Sequence, residues 1–444
     1  MTWKISILGF FLINSILSID FRPPVLESFT SPLRIENLDN KINNNTTKKA
    51  NKQSSTWGGN SLTQETKNIE GIDVTVYSLS GGAWIQHKKV KITSSSIEVI
   101  GMDAYKGFIK GALRVEDPEN GILLTSGKGV YDKVSETIVL EGNPNLIFKD
   151  KENKITRIYS PDLTRYLAEN RTDFSKGVVI QNTEFTIFAN KASFYEKEQR
   201  LELFDKPFIF GKDLFISGDK ATHIISDKIT EVEGSTLLVR QGIEKKKNKE
   251  GEEISEKKIT YSTGNKIYSK NQDEFNTGIY GNAKVIRKDM ELTAEKIESL
   301  GKSSEKIQAT QSVSILLKEN HTRLNGNLLE HTKEKNYTHL TEEASIEFLS
   351  NDDTEVKSTL TASEIERFGN LKEIVCRGNV EIKSENSTLN GEYATYFEET
   401  EKLFLEGNPS MERDNKKIYS GKIILFPKLN KVLLTDGLNL SNQK

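Results

Sequence analysis

From Ile72 onward, apolar and polar residues alternate along most of the chain. Ile72-Asp73-Val74-Thr75-Val76 opens the pattern, and pairs such as Phe208/Phe210, Leu237/Val239, Val380/Ile382 and Leu403/Leu405 continue it. A period of two puts one face of an extended strand inward and the other in water. β-Branched and aromatic residues fill these runs, and Gly, Asn, Asp or Lys pairs interrupt them at intervals of about 8–12 residues, which predicts an all-β fold of many short antiparallel strands. Only residues 163–171 and 328–335 have a composition compatible with helix, and both are short.

A longer pattern lies over the alternation. An apolar residue is followed two places on by a turn residue and six places on by a second apolar residue. The leading position falls at Ile109, Leu140, Phe174, Leu203, Val232, Ile279, Ile307, Leu340, Cys376, Leu405 and Leu434. The turn position is Gly111, Gly142, Lys176, Asp205, Gly234, Gly281, Ala309, Glu342, Gly378, Gly407 or Asp436. The closing position is Val115, Leu146, Ile180, Ile209, Leu238, Val285, Val313, Ile346, Ile382, Met411 or Leu440. A period of roughly thirty residues marks a repeat architecture, whose units cannot bury an apolar face alone and must stack on their neighbours. The one long step contains the charged run 241–258, which reads as an insertion into a single repeat.

Each unit has a weaker feature upstream of its leading position. Gly129-Val130-Tyr131, Ala192-Ser193-Phe194, Ala221-Thr222-His223 and Ala394-Thr395-Tyr396 share a small residue two places before a ring. Another small residue follows an apolar one at Ile216/Gly218, Leu324/Gly326, Leu389/Gly391 and Tyr419/Gly421. Recurrent small residues suggest corners where backbones approach closely.

The N-terminus has a different character. Lys4 precedes an apolar run, 5–17, that is too short for a membrane span and suits an export signal. Residues 1–19 are therefore expected to be a signal peptide or N-terminal anchor, and 20–70, rich in Asn, Lys and Thr, a flexible linker. Residues 71–240 form a first β section, 241–258 the charged insertion and 259–444 a second β section. Hydrophobic residues make up 35% of the 444 and charged residues 28%, which suits a slender body rather than a thick core. The net charge of −2 offers no basic face to nucleic acid. The single cysteine, Cys376, rules out an intrachain disulfide and occupies a leading apolar position, as a small buried hydrophobe would.

Catalytic constellations are missing. The five histidines, His87, His223, His321, His331 and His339, show no metal-ligand spacing. His223 stands in the column of Tyr131, Phe194 and Tyr396, where a structural role is expected. Gly127-Lys128-Gly129 lacks the remaining glycine of a dinucleotide site, and there is no Gly-x-Ser-x-Gly elbow. The reading is a non-enzyme, with no cofactor and no metal. An inward apolar row can do one of two things: pack against itself, or line a trough that offsets the cost of acyl chains in water, about 0.8 kcal/mol per methylene.

The unit Ala-x-Tyr followed by Leu-x-Leu-x-Gly-Asn-Pro and an apolar residue resembles the OstA-like family. Its members include periplasmic lipopolysaccharide-transport proteins of the LptA and LptC type and the N-terminal domain of LptD. Val130 to Leu146, Ala192 to Ile209, Gly378 to Ile382 and Ala394 to Met411 carry the likeness best. The resemblance implies an elongated, twisted β-jellyroll with an apolar interior, located in the periplasm and held there free or by an inner-membrane anchor. It implies lipopolysaccharide as cargo, with lipid A acyl chains in the groove. It also implies edge-strand pairing with other Lpt-type jellyrolls, and contact with an inner-membrane transporter or outer-membrane translocon. On this reading the groove residues are Leu140, Leu146, Leu203, Ile209, Val232, Ile279, Val285, Ile382, Leu405 and Met411. The chain is longer than the single-jellyroll members and lacks the barrel of the translocon. The alternative is a structural or adhesive β-solenoid with parallel strands, a packed core and no lipid.

Overall fold

The computed structural model describes residues 55–69, 71–247, 253–271, 275–301, 305–414, 416–429 and 431–442. The expected signal or anchor, 1–19, lies outside them. Among the described residues there are thirty-four strands and one short 3-10 turn, Pro427–Leu429. Residues 163–171 and 328–335 are strand and turn, not helix. The fold is an all-β jellyroll of antiparallel strands, so the parallel β-solenoid is excluded.

The strands build two ladders that share their connections. A strand such as Lys106–Asp117 starts in the first ladder, turns a corner and ends in the second; the next, Ile122–Asp132, returns the other way. Where the corner is a full turn, one such run divides into two strands, as at Thr137–Glu141 and Asn145–Lys149.

The leading column of the sequence is one transverse row of the first ladder. Leu79 pairs with Ile97, which pairs with Ile109, and the row runs on through Gly129, Leu140, Leu163, Phe174, Ala192 and Leu203. It continues without a break through Val232, Ile267, Ile279, Leu340, Cys376 and Leu405 to Leu434. The closing column is the matching row of the second ladder, from Ile85 through Val115, Leu146, Ile180, Ile209, Leu238, Val285, Leu324 and Ile382 to Met411. Both rows face one continuous hydrophobic cluster. Each fully buried Leu or Ile contributes about 1.5–3 kcal/mol, so the rows hold the ladders together.

The turn position is a corner with positive φ. The angle is 91° at Gly111, 84° at Gly142, 83° at Gly234 and 77° at Gly378 and Gly407. Glycine suits this region, but Lys176 (62°), Asp205 (61°) and Glu342 (57°) adopt it as well. The small residue on the neighbouring strand makes room for the corner. A Cβ on Gly391 would lie 2.7 Å from Leu405 Cδ1 and 2.9 Å from the Glu406 carbonyl oxygen.

Three expectations change. The copy read at Ile307 is two residues early: Ala309 is fully buried, Gln311 has φ of 66°, and the register shift falls between Thr310 and Val313. Its closing residue is therefore Ile315, not Val313. A further copy precedes all the others, with Leu79, Gly81 (φ 69°) and Ile85. Residues 56–58 and 61–69, placed in the linker, are strands paired with Ile72–His87. Backbone hydrogen bonds hold them, and their side chains are mostly exposed, so no apolar pattern announced them. Of the charged run, residues 241–247 and 253–258 pair as the outer part of the hairpin Ile229–Lys247 with Glu253–Asn271, and both rows pass it without interruption.

Candidate functional site

A second inward row of the first ladder decides whether the interior is filled. It lies two residues beyond the leading row, at the mouth. Near the N-terminus it runs Tyr131, Ile138, Arg165, Thr172, Phe194, Leu201. These are large groups with at most 1% exposure, apart from Thr172, which is also buried. Phe194 packs edge-on against Phe148 of the other ladder, 5.1 Å between centroids. Arg165 donates to Asp117 Oδ2 at 2.5 Å and to Glu196, which also accepts from Thr172 Oγ1 at 3.0 Å. Tyr131, Ser55 and His87 form a buried knot with each contact at 2.9 Å. Burial pushes the Tyr131 hydroxyl up to about 12.

The same closure recurs about two hundred residues on. Phe348 packs edge-on against Tyr396 at 4.9 Å, and Arg367 pairs with Glu398 at 2.6 Å, with Asn320 donating to the same carboxylate at 2.8 Å. Between these two filled sections the row becomes His223, Thr230, Ser269, Thr277, Ser299, Ile307, His331, Thr338. Small hydroxyl residues replace the rings, and a cavity of about 1870 Å³ opens there.

The cavity has three zones. Its floor is apolar, with Ile216, Leu238, Ile279, Leu292, Ile297 and Leu324 among its residues, all in the hydrophobic cluster. The hydroxyl and histidine band forms one wall. Across from it, the second ladder supplies Arg240, Arg287 and Met290 at the mouth. Arg240 reaches over to Thr277 Oγ1 at 3.3 Å, and Arg287 is held by Asp289 through two contacts of 3.0 and 2.5 Å. Exposed residues such as Lys212 and Lys372 make the outer rim.

The two histidines of the band are neutral at pH 7. Burial holds His223 and His331 down at about 4, and each contacts a threonine through Nδ1 at 2.9 Å, Thr230 and Thr338 respectively. Their folded values lie below the unfolded value near 6.5, so the unfolded chain binds more protons between those limits. Stability is therefore expected to be unaffected above pH 6.5 and to fall as pH drops toward 4. For His223 alone the loss approaches about 3 kcal/mol. His223→Phe should flatten this part of the profile, measured by chemical denaturation across the range.

All ten residues expected to line a groove face the interior, but they divide. Ile209, Ile279 and Val285 line the cavity. Leu140, Leu146, Leu203, Val232, Ile382 and Leu405 are fully buried in the packed cluster, and Met411 is partly buried against it. The polar band was missed as a group; its one signal was His223 in a column of aromatic residues. Cys376 is wholly buried and its thiol is pushed up by desolvation, which makes it inert. Among the described residues no cluster of His, Cys, Asp and Glu could hold a metal ion.

Residues 87–206 match the family model of lipopolysaccharide-assembly, LptC-related proteins. This part of the chain is similar to the LptC-related family. The matched segment contains the first filled section, with Arg165 and Phe194, and contributes Thr156, Phe185 and Gln199 to the cavity wall. Most of the cavity lies beyond it. A solved structure of LptH from Pseudomonas aeruginosa, the LptA homologous periplasmic component of a lipopolysaccharide transport device, is 12% identical. The likeness covers 34% of this chain and 82% of that one with a TM-score of 0.19, and the fold rests on the strand pairings instead. No curated protein matches the chain. No helix among the described residues is long and apolar enough to cross a membrane.

Proposed function

We propose that the protein is a non-enzymatic lipopolysaccharide carrier of the cell envelope that shields acyl chains in the central cavity. The observation that carries this is the apolar floor under an open mouth, in a chain whose LptC-related segment closes one end of it. Acyl chains gain at each methylene that leaves water, about 0.8 kcal/mol, and the floor offers apolar side chains along several strands. The filled sections on either side act as rigid supports.

Bridging belongs to the same reading. Ser61–Ile69 is paired on one side only among the described residues, and so is Lys431–Asn442. Leu62 on the first strand and Leu433 and Leu438 on the second are exposed. Open strand edges with apolar side chains suit addition of a strand from another jellyroll, and so connection to an inner-membrane transporter or an outer-membrane translocon.

A photoreactive residue tests the cargo. Placed at Ile279 or Leu292 it should capture the acyl portion of lipopolysaccharide in whole cells. At Leu405, in the filled section, capture should be at background. Equal capture at all three positions would sink the cavity as the binding place.

A further inference from the structure

The wall of the cavity is more specific than its floor. A container for plain hydrocarbon needs only apolar walls, yet one whole wall here is a band of neutral hydrogen-bonding groups, interrupted by Ile307 alone. From His223 to Thr338 it crosses eight strands, roughly 34 Å at the usual spacing of about 4.8 Å between neighbours. Two of its polar atoms are buried without a hydrogen-bond partner, His223 Nε2 and Ser299 Oγ. His223 is 6% exposed. Polar atoms left in this state are costly, and native proteins rarely keep them without a use.

We propose that this band is a hydrogen-bonding subsite for oxygen atoms carried on the bound acyl chains, so that the cavity prefers hydroxyl- or ester-bearing chains to plain ones. The proposal rests on the lipid-carrying reading above and names what that cargo must present. The wall groups are serine and threonine hydroxyls and neutral imidazoles, which match neutral oxygens rather than phosphate. Burial keeps both imidazoles uncharged at physiological pH. The opposite lip carries Arg240 and the Arg287–Asp289 ion pair, and further charged residues stand round the outer rim. Apolar floor, neutral polar wall and charged rim thus follow the order of groups along an acylated amphiphile.

The test uses the purified full chain with two probes of equal length, tetradecanoic acid and β-hydroxytetradecanoic acid, each competing with a fluorescent fatty acid. The hydroxy acid is expected to bind about fivefold tighter, as one or two added hydrogen bonds would give. His223→Leu with Ser299→Ala should bind both acids with the affinity the unchanged protein shows for the plain one. Should the double variant fail to fold, Ser299→Ala alone carries the test and should at least halve the preference. Equal binding of both acids by the unchanged protein, or a preference that survives the substitutions, overturns the subsite and leaves the carrier reading intact. Binding of neither acid overturns both.

Discussion

Phenylalanine at Ser269 and Ser299 is expected to close the cavity and to lower bound lipid at least tenfold, with the fold retained. Both serines stand in the row that Phe194 occupies in the filled section. Ser269 pairs with Thr230 and Thr277 much as Phe194 pairs with Thr172 and Leu201. A ring at that register points between the ladders, and the structure already holds Tyr131, Phe194 and Tyr396 there without exposure. Each new ring would fill space now open and bury apolar surface worth about 1.5–3 kcal/mol, so the thermal midpoint should hold or rise. Mass spectrometry of copurified lipid and titration with a fluorescent fatty acid would measure the loss. Undiminished lipid in a folded double variant would mean that the cargo sits elsewhere.

The two apolar rows were legible in the sequence because each is a single pleat face repeated by a fixed unit. Leu140 and Leu405 can be read as equivalents from spacing alone, since the corner residue two places on resets the frame every time. The frame slipped at Gln311, although the equally glycine-free corners at Lys176 and Glu342 were placed correctly, because Ile307 and Val313 offer a second apolar pair at the same six-residue spacing. The strand Ser61–Ile69 was hidden for another reason: an edge strand held by backbone hydrogen bonds needs no apolar alternation.

The cavity was illegible for a subtler reason. The leading and closing rows are almost equally apolar in the filled sections and in the open one, so they do not reveal where packing stops. What decides is the volume of one further row, in which Ser269 and Ser299 stand where Phe194 and Tyr396 stand elsewhere. Serine and threonine in a strand read as ordinary outward-facing residues. Only the register shows that they face inward.

Glu196→Ala is expected to destabilise the protein by about 3–5 kcal/mol, as removing one member of a buried ion cluster does. Arg165 is 1% exposed and lies between Asp117 and Glu196, with Thr172 on the second carboxylate. Without Glu196 the guanidinium keeps one partner and cannot reach water. Glu398→Ala, at the equivalent place in the second half, should cost roughly half as much. There Arg367 is 19% exposed and lines the cavity, and Leu317 takes the position of Asp117, so a solvent path remains once its carboxylate is lost. Replacing all three of Asp117, Arg165 and Glu196 by Leu, Met and Leu should be neutral or stabilising, since the cluster fills space that apolar groups can fill. Denaturant midpoints at pH 7 compare the variants. Equal losses for Glu196→Ala and Glu398→Ala would show that the two sections are equally dry, and that the boundary between filled and open interior does not fall at Arg367.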